Sequence, residues 1–437
     1  MFEIINIFIY GLFLFVLFLF PLCFSFVNRY VNIKNLNFFD IICLNVLLQF
    51  SLYLAFSFFV ADISNIIRLI FFFSLILIFF NYKNFQFEKK YNLILSIILF
   101  NVIFFSINTH LSSNPRLSWD GVAHWFWKTQ NFYYGFGLDN FKNLPNSMYP
   151  HLGTYLWSNF WKISLMDYEY FGRFFYSFIF LLIIFSTALS IRSKYIFTII
   201  LFLVFLTYEP FVLGGYQEYL LFFLIAVIGK LFFLFDRKLI DKKIFILFFF
   251  LSMNLLLWSK QEGIFYLILL LITFTISINF KIKEKIIIFL SLLFIIILHI
   301  YIEYYFKGSK SFHEPIVNNF EKLKDIKLFI FSAMYITEGL MIGFIKRPII
   351  LICIFSYIFL KFYRKKSFST YDFFLVFFII NILFIFSIYI HTHHGLESIL
   401  PHTLGRLLIH TSGFYLISII YLFNFFNKKN AIKKEAL

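Results

Sequence analysis

The chain has 437 residues, 61% of them hydrophobic and 73 of them Phe, more apolar surface than a soluble fold of this size can bury, so a soluble globular protein is excluded. The formal charge of +16 does not indicate a nucleic-acid binder, because Lys and Arg fall largely in short clusters between apolar runs, as the positive-inside rule and contact with anionic lipid require. Cys23, Cys43 and Cys353 lie in apolar runs without paired spacing, which argues against a disulfide framework and a thiolate metal site.

A crossing takes roughly 17 to 25 apolar residues, which predicts spans near 2–26, 38–60, 66–82, 92–108, 172–190, 195–212, 216–235, 243–258, 262–280, 285–306, 347–361, 370–390 and 405–427. The expected fold class is therefore an all-α polytopic membrane protein of about thirteen transmembrane helices, one domain over 1–437. The first run lacks a basic leader and an A-x-A-like cleavage site, and is read as a retained helix. Basic clusters at Arg29/Lys34, Lys83/Lys89/Lys90, Arg192/Lys194, Arg237/Lys238/Lys242/Lys243, Lys281/Lys283/Lys285, Arg364/Lys365/Lys366 and the tail from Lys428 all fall on one side, read as cytoplasmic. Residues 328–345 are apolar enough to span, but a crossing there would place the Arg364 cluster outside. The segment is expected to lie as an amphipathic helix in the outer interface, with Glu338 near its middle.

This topology collects the unusual side chains on the outer face. It holds the long loop 109–171, the connections near 208–218 and 258–263, the loop 307–327 and the segment 391–404, with all six Trp and every His except His299 and His410. The cytoplasmic side shows no Gly-rich phosphate loop, which argues against a nucleotide-driven pump.

Four constellations stand out. In Ser118–Tyr134, Asp120, His124 and Lys128 are spaced four apart and predict one polar ridge on a helix, flanked by Trp119, Trp125 and Trp127. Tyr149-Pro150-His151 and Trp157 follow. Asp120 suits a general base at the membrane surface and Lys128 a phosphate ligand, although Trp and Lys also suit a plain interfacial helix. The second constellation is Gly214-Gly215-Tyr216-Gln217-Glu218, at the mouth of a span. A carboxylate inside a membrane segment costs roughly 2.5–3.5 kcal/mol, so Glu218 needs a partner, a wet cavity or a place among headgroups at the helix start. The third is Trp258-Ser259-Lys260-Gln261-Glu262-Gly263, where Lys260 reaches a phosphate and Glu262 caps a helix or contacts a sugar, unless the two form only a solvated charge pair. The fourth is His391, His393, His394, Glu397, His402 and Arg406. Its spacing matches no standard zinc site, and Arg406 suits a phosphate or an interfacial anchor; Arg173 has the same two roles open.

Taken in order, WDxxAxWxxK, a YP pair, GYxE at a helix start, WxKxEG and an Arg-Leu-Leu helix resemble the bacterial membrane glycosyltransferases of the GT-C superfamily, relatives of the protein O-mannosyltransferases and the lipid A aminoarabinose transferase. The resemblance covers about residues 100–425. It implies extracytoplasmic juxtamembrane helices and transfer of a sugar, with inversion, from a polyprenyl-phosphate carrier outside the cytoplasmic membrane to a lipid, glycan or protein hydroxyl. It puts the catalytic base on Asp120, site roles on Glu218 and Glu262, and carrier-phosphate contacts on Lys128, Lys260 and Arg406. His124 and Arg173 are further candidate substrate contacts. No cofactor is expected, and a divalent metal is not required. Glu218 stands where the family more usually has Asp, and Gln261 where it usually has Asn. Two other functions fit the composition. A polymerase or ligase using a lipid diphosphate would depend chiefly on His394 and Arg406. A transporter or flippase would favour midplane charges and internal repeats.

Overall fold

The computed structural model describes residues 2–24, 36–81, 90–307, 326–364, 372–390 and 396–424, apart from the single positions 148, 192, 194 and 279. Every regular element among them is helical. Eight helices lead from the start of the chain to its middle: α1 (Phe2–Leu17), α2 (Phe38–Ser57), α3 (Ser64–Asn81), α4 (Lys90–Ser113), α5 (Trp127–Tyr133), α6 (Leu152–Lys162), α7 (Phe174–Leu189) and α8 (Ile196–Thr207). Eight more follow: α9 (Glu218–Asp236), α10 (Lys242–Ser259), α11 (Glu262–Ser277), α12 (Ile282–Lys307), α13 (Ile326–Lys346), α14 (Pro348–Arg364), α15 (Phe373–Ile390) and α16 (Leu396–Leu416). Among the described residues nine helices are long and apolar enough to cross a membrane, and five apolar helices are shorter, which is the build of a polytopic membrane protein. The basic positions 29, 34, 83, 89, 192, 194, 365 and 366, the tail from 428, the loop 308–325 and His391, His393 and His394 lie outside the described residues.

The centre is α9, buried from Glu218 to Leu234, packed against α7, α10 and α16. At Gly413 a Cβ would stand 2.5 Å from the Phe222 carbonyl oxygen, so α9 and α16 approach backbone to backbone. Gly229 meets Phe414 and Ile417 further along, and the two helices therefore run parallel.

The predicted first span shortens. The helix ends at Leu17, and a turn takes over through Phe24. Hydropathy continues through that turn, but α2 supplies what it needs. Asn45 Nδ2 donates to the Phe18 and Leu19 carbonyls, Gln49 Nε2 donates to those of Leu17 and Phe20, and the Leu22 amide donates to Asn45 Oδ1. These bonds satisfy the orphan carbonyls of a helix that stops inside apolar surroundings.

A buried ion pair braces the other end of the core. Lys230 Nζ of α9 stands 3.0 Å from Asp40 Oδ1 of α2, and it donates to the Ser186 carbonyl at 2.8 Å and Ser190 Oγ at 2.5 Å. Ser186 Oγ donates to Asp40 in turn. Removing one partner of such a pair typically costs about 3–5 kcal/mol, whereas replacing both with apolar groups is often neutral. Lys230→Met is therefore expected to lower the thermal unfolding temperature in detergent strongly, and Asp40→Leu/Lys230→Met to recover most of the loss.

The segment expected to lie in the outer interface, 328–345, is the helix α13, itself long and apolar enough to span. It packs on α16: Gly339 faces Leu400 and Leu404, and Gly343 faces Leu404 and Leu408. Beyond the break at Arg347–Pro348, α14 continues the same way, with Cys353 near Ser418 just past the end of α16. The two helices thus follow α16 in one direction instead of folding back.

Candidate functional site

Two loops meet edge to edge and bring distant carboxylates together. Gly215 adopts φ +93°, a left-handed turn open to glycine, and leads straight into α9. Beside it, the Gly214 carbonyl accepts from the Ser118 amide at 2.8 Å and the Ser118 hydroxyl at 2.9 Å. A Cβ on Gly121 would lie 2.4 Å from that same carbonyl. Gly121→Ala must therefore push the 118–121 segment off residue 214. We expect it to cut activity at least tenfold, as misplacement by about 1 Å at a reacting centre does, with only a small change in unfolding temperature.

Docked this way, Asp120 faces the start of α9. Arg406 of α16 donates from Nη1 to Asp120 Oδ2 and from Nε to Glu218 Oε1 at 2.6 Å, across sequence separations of 286 and 188. Its guanidinium lies over the Tyr216 ring, 4.6 Å from the centroid. Lys260, at the α10–α11 turn, places Nζ 3.0 Å from Glu218 Oε1 and 3.1 Å from Glu262 Oε1. The order Asp120–Arg406–Glu218–Lys260–Glu262 alternates in sign, three carboxylates against two cations, for a net charge of −1. Its middle is sealed and its ends are open: the Glu218 side chain is 0% exposed, Asp120 16% and Glu262 28%. Among the described residues, the buried atoms around it without a hydrogen-bond partner include Glu218 Oε2, Glu262 Oε2, His410 Nε2 and His124 Nδ1.

Lys128 does not join this group. The predicted ridge assumed an α-helix, whereas Gly121–Phe126 forms a π-helix and Lys128 turns to the 146–149 loop. Lys128 is fully buried, donates to the Asn146 and Tyr149 carbonyls at 2.6 and 3.2 Å, and sits among the rings of Trp125, Tyr149 and Phe141. It closes the 146–149 loop over the helix. Arg173 is likewise buried, donating to the Leu213 and Pro115 carbonyls and to Glu169. It clamps the strand of chain leading to Asp120 against the one leading to Glu218. In these positions both cations bond backbone carbonyls around the site, where sequence alone gives them as candidate substrate contacts.

His124 stays near Asp120, its ring 4.8 Å from that of Tyr149 and 5.4 Å from that of Trp119. Burial pushes its pKa below the ordinary value, with Asp120 opposing and the nearby cations adding to the drop. The Tyr149 hydroxyl is pushed up to about 12, first by burial and then by the Glu262 and Asp120 carboxylates. Together with the exposed Trp119, these rings form an aromatic wall beside the open end at Asp120. His151 is elsewhere, buried with Nε2 2.8 Å from Ser57 Oγ.

Sequence reasoning set His410 aside as lying within a span. It stands one turn beyond Arg406, its Nδ1 3.1 Å from the Tyr266 hydroxyl, beneath the carboxylates. The i,i+4 spacing from Arg406 was the available signal. In sequence Tyr216 is only one member of its motif, and its place under the guanidinium depends on tertiary placement. Among the described residues, no group of three or more His, Cys, Asp or Glu side chains is placed to hold a metal ion. Glu397 and His402 fall in α16, but their side chains are outside the described set.

The site is thus a sealed ionic core with an acid and an aromatic wall at its open end, and comparison with family models, curated proteins and solved structures gives no match for the chain.

Proposed function

We propose that the chain is an inverting glycosyltransferase of the GT-C type that moves a sugar from a polyprenyl-phosphate carrier to an acceptor hydroxyl. The observation that carries this reading is the alternating chain from Asp120 to Glu262, built by four segments far apart in sequence. Isolated surface ion pairs contribute little to stability, and buried ones are costly to assemble. A network that seals Glu218 and leaves a carboxylate at its open end suits chemistry better than anchoring.

Asp120 Oδ2 is held by Arg406, which leaves Oδ1 to take a proton from an acceptor hydroxyl. Arg406, with donors left over, meets the donor phosphate, while Lys260 stays with the carboxylates and fixes Glu218. The aromatic wall of Trp119, His124 and Tyr149 suits a sugar face. The acceptor oxygen attacks the anomeric carbon opposite the phosphate, and the cationic contact stabilises the departing charge without requiring a metal. The prenyl chain would lie among the helices, in a protein of about thirteen crossings, with the site on the outer face of the bacterial cytoplasmic membrane.

The test is to incubate the purified chain in lipid with a panel of polyprenyl-phosphate sugars and candidate acceptors. Mass spectrometry is expected to show a sugar-free carrier appearing with wild type and about 10²–10⁴-fold more slowly with Asp120→Asn. Release that is the same in both, or release by neither, would overturn the reading.

A further inference from the structure

We propose that Arg406 is the shared counter-ion of the base and the leaving phosphate, so that the negative charge lost at Asp120 reappears on the phosphate across a single stationary guanidinium. This rests on the donor reading above. Arginine carries five N–H donors in a planar fork. Nε is taken by Glu218 and one donor of Nη1 by Asp120, and among the described residues the remaining donors meet no protein acceptor. The side chain is 19% exposed, whereas its Glu218 anchor is fully buried. One edge of the fork is therefore fixed inward, one holds the base, and the rest faces the opening, where a phosphate oxygen fits.

The charge balance follows from the bonds. The acceptor O–H bond breaks and its proton goes to Asp120, which becomes neutral. The acceptor oxygen forms a bond to the anomeric carbon. The bond from that carbon to the phosphate oxygen breaks, its electron pair stays on phosphate, and a singly charged diester becomes a doubly charged monoester. Total charge around Arg406 does not change; it moves from one edge of the guanidinium to another. A fixed cation serving both ends needs no reorganisation during the reaction, the condition under which electrostatic stabilisation is most effective.

Glu218 is a positioning residue in this scheme. Its bond to Nε, backed by Lys260 at 3.0 Å, keeps Arg406 from following the phosphate outward, and the Tyr216 ring fixes the guanidinium plane.

The experiment is a double-mutant cycle on kcat/KM using the full chain in lipid nanodiscs, with a polyprenyl-phosphate hexose as donor and polyprenyl phosphate as product inhibitor. Arg406→Gln is expected to lower kcat/KM by about 10²–10³-fold, the usual cost of losing one preorganised donor, and Arg406→Lys by less. On an Asp120→Asn background, where the base that Arg406 holds is already lost and the two residues act as a unit, adding Arg406→Gln is expected to cost under about tenfold. Inhibition by polyprenyl phosphate, the doubly charged product, should weaken more than donor binding does. A simple structural role would weaken both equally. If Arg406→Gln does not fold, the same cycle is run with Arg406→Lys. Losses that multiply in the double variant, or equal weakening of product and donor, would overturn the shared counter-ion while leaving the donor reading intact. Absence of transfer by wild type from any donor would overturn both.

Discussion

Replacing Asp120 with Asn is expected to lower transfer by about 10²–10⁴-fold, the range that a positioned general base contributes. The substitution keeps an oxygen acceptor for Arg406 and leaves the Glu218 and Lys260 contacts in place, so the unfolding temperature should change little. The variant separates chemistry from assembly. If it transferred sugar at the wild-type rate, Asp120 would be a structural partner of Arg406 and nothing more.

The second large effect is expected at Glu218, the one carboxylate that touches both cations. Glu218→Ala leaves the buried Lys260 with Glu262 alone and frees the Nε edge of Arg406. Removing one partner from a buried ion pair costs about 3–5 kcal/mol, and for a marginally stable protein that is a large share of the total. Thermal unfolding in detergent should show the loss, and transfer should fall with it even at temperatures where the variant stays folded, because Arg406 is no longer aimed. Glu218→Gln keeps the shape and one acceptor and should fall between the two. An unchanged unfolding temperature for Glu218→Ala would show that the network does not bear on stability.

Charged residues in a greasy chain are legible because the surroundings make each one expensive. Asp120, Glu218, Lys260, Glu262 and Arg406 all stood out in sequence for that reason, and the structure places them in contact. Their pairing was not legible: nothing local says that Arg406 reaches back 286 positions to Asp120. The same physics hid the work of Lys128 and Arg173. A cation beside aromatics looks alike in sequence whether it meets a phosphate or a run of backbone carbonyls, and the 146–149 loop that takes up Lys128 is brought to it only by the fold.

Hydropathy placed most of the helices but could not set every end. It runs on past Leu17, whereas the helix stops there because Asn45 and Gln49 offer its carbonyls better partners than another turn would. Hydropathy and the side of the Arg364 cluster together suggest an interfacial helix at 328–345, and the contacts of Gly339 and Gly343 show that α13 runs along α16. Composition settles that this is a membrane protein; depth and direction come from packing.

The most direct test of the central claim is the identity of the carrier that leaves. With purified chain, a lipid-linked sugar and an acceptor, the mass of the released lipid is read by mass spectrometry alongside the glycosylated acceptor. We predict a polyprenyl monophosphate, formed in equal amount with the product and about 10²–10⁴-fold more slowly when Asp120 is replaced by Asn. Release of a polyprenyl diphosphate, or product formed without any released carrier lipid, would contradict the account.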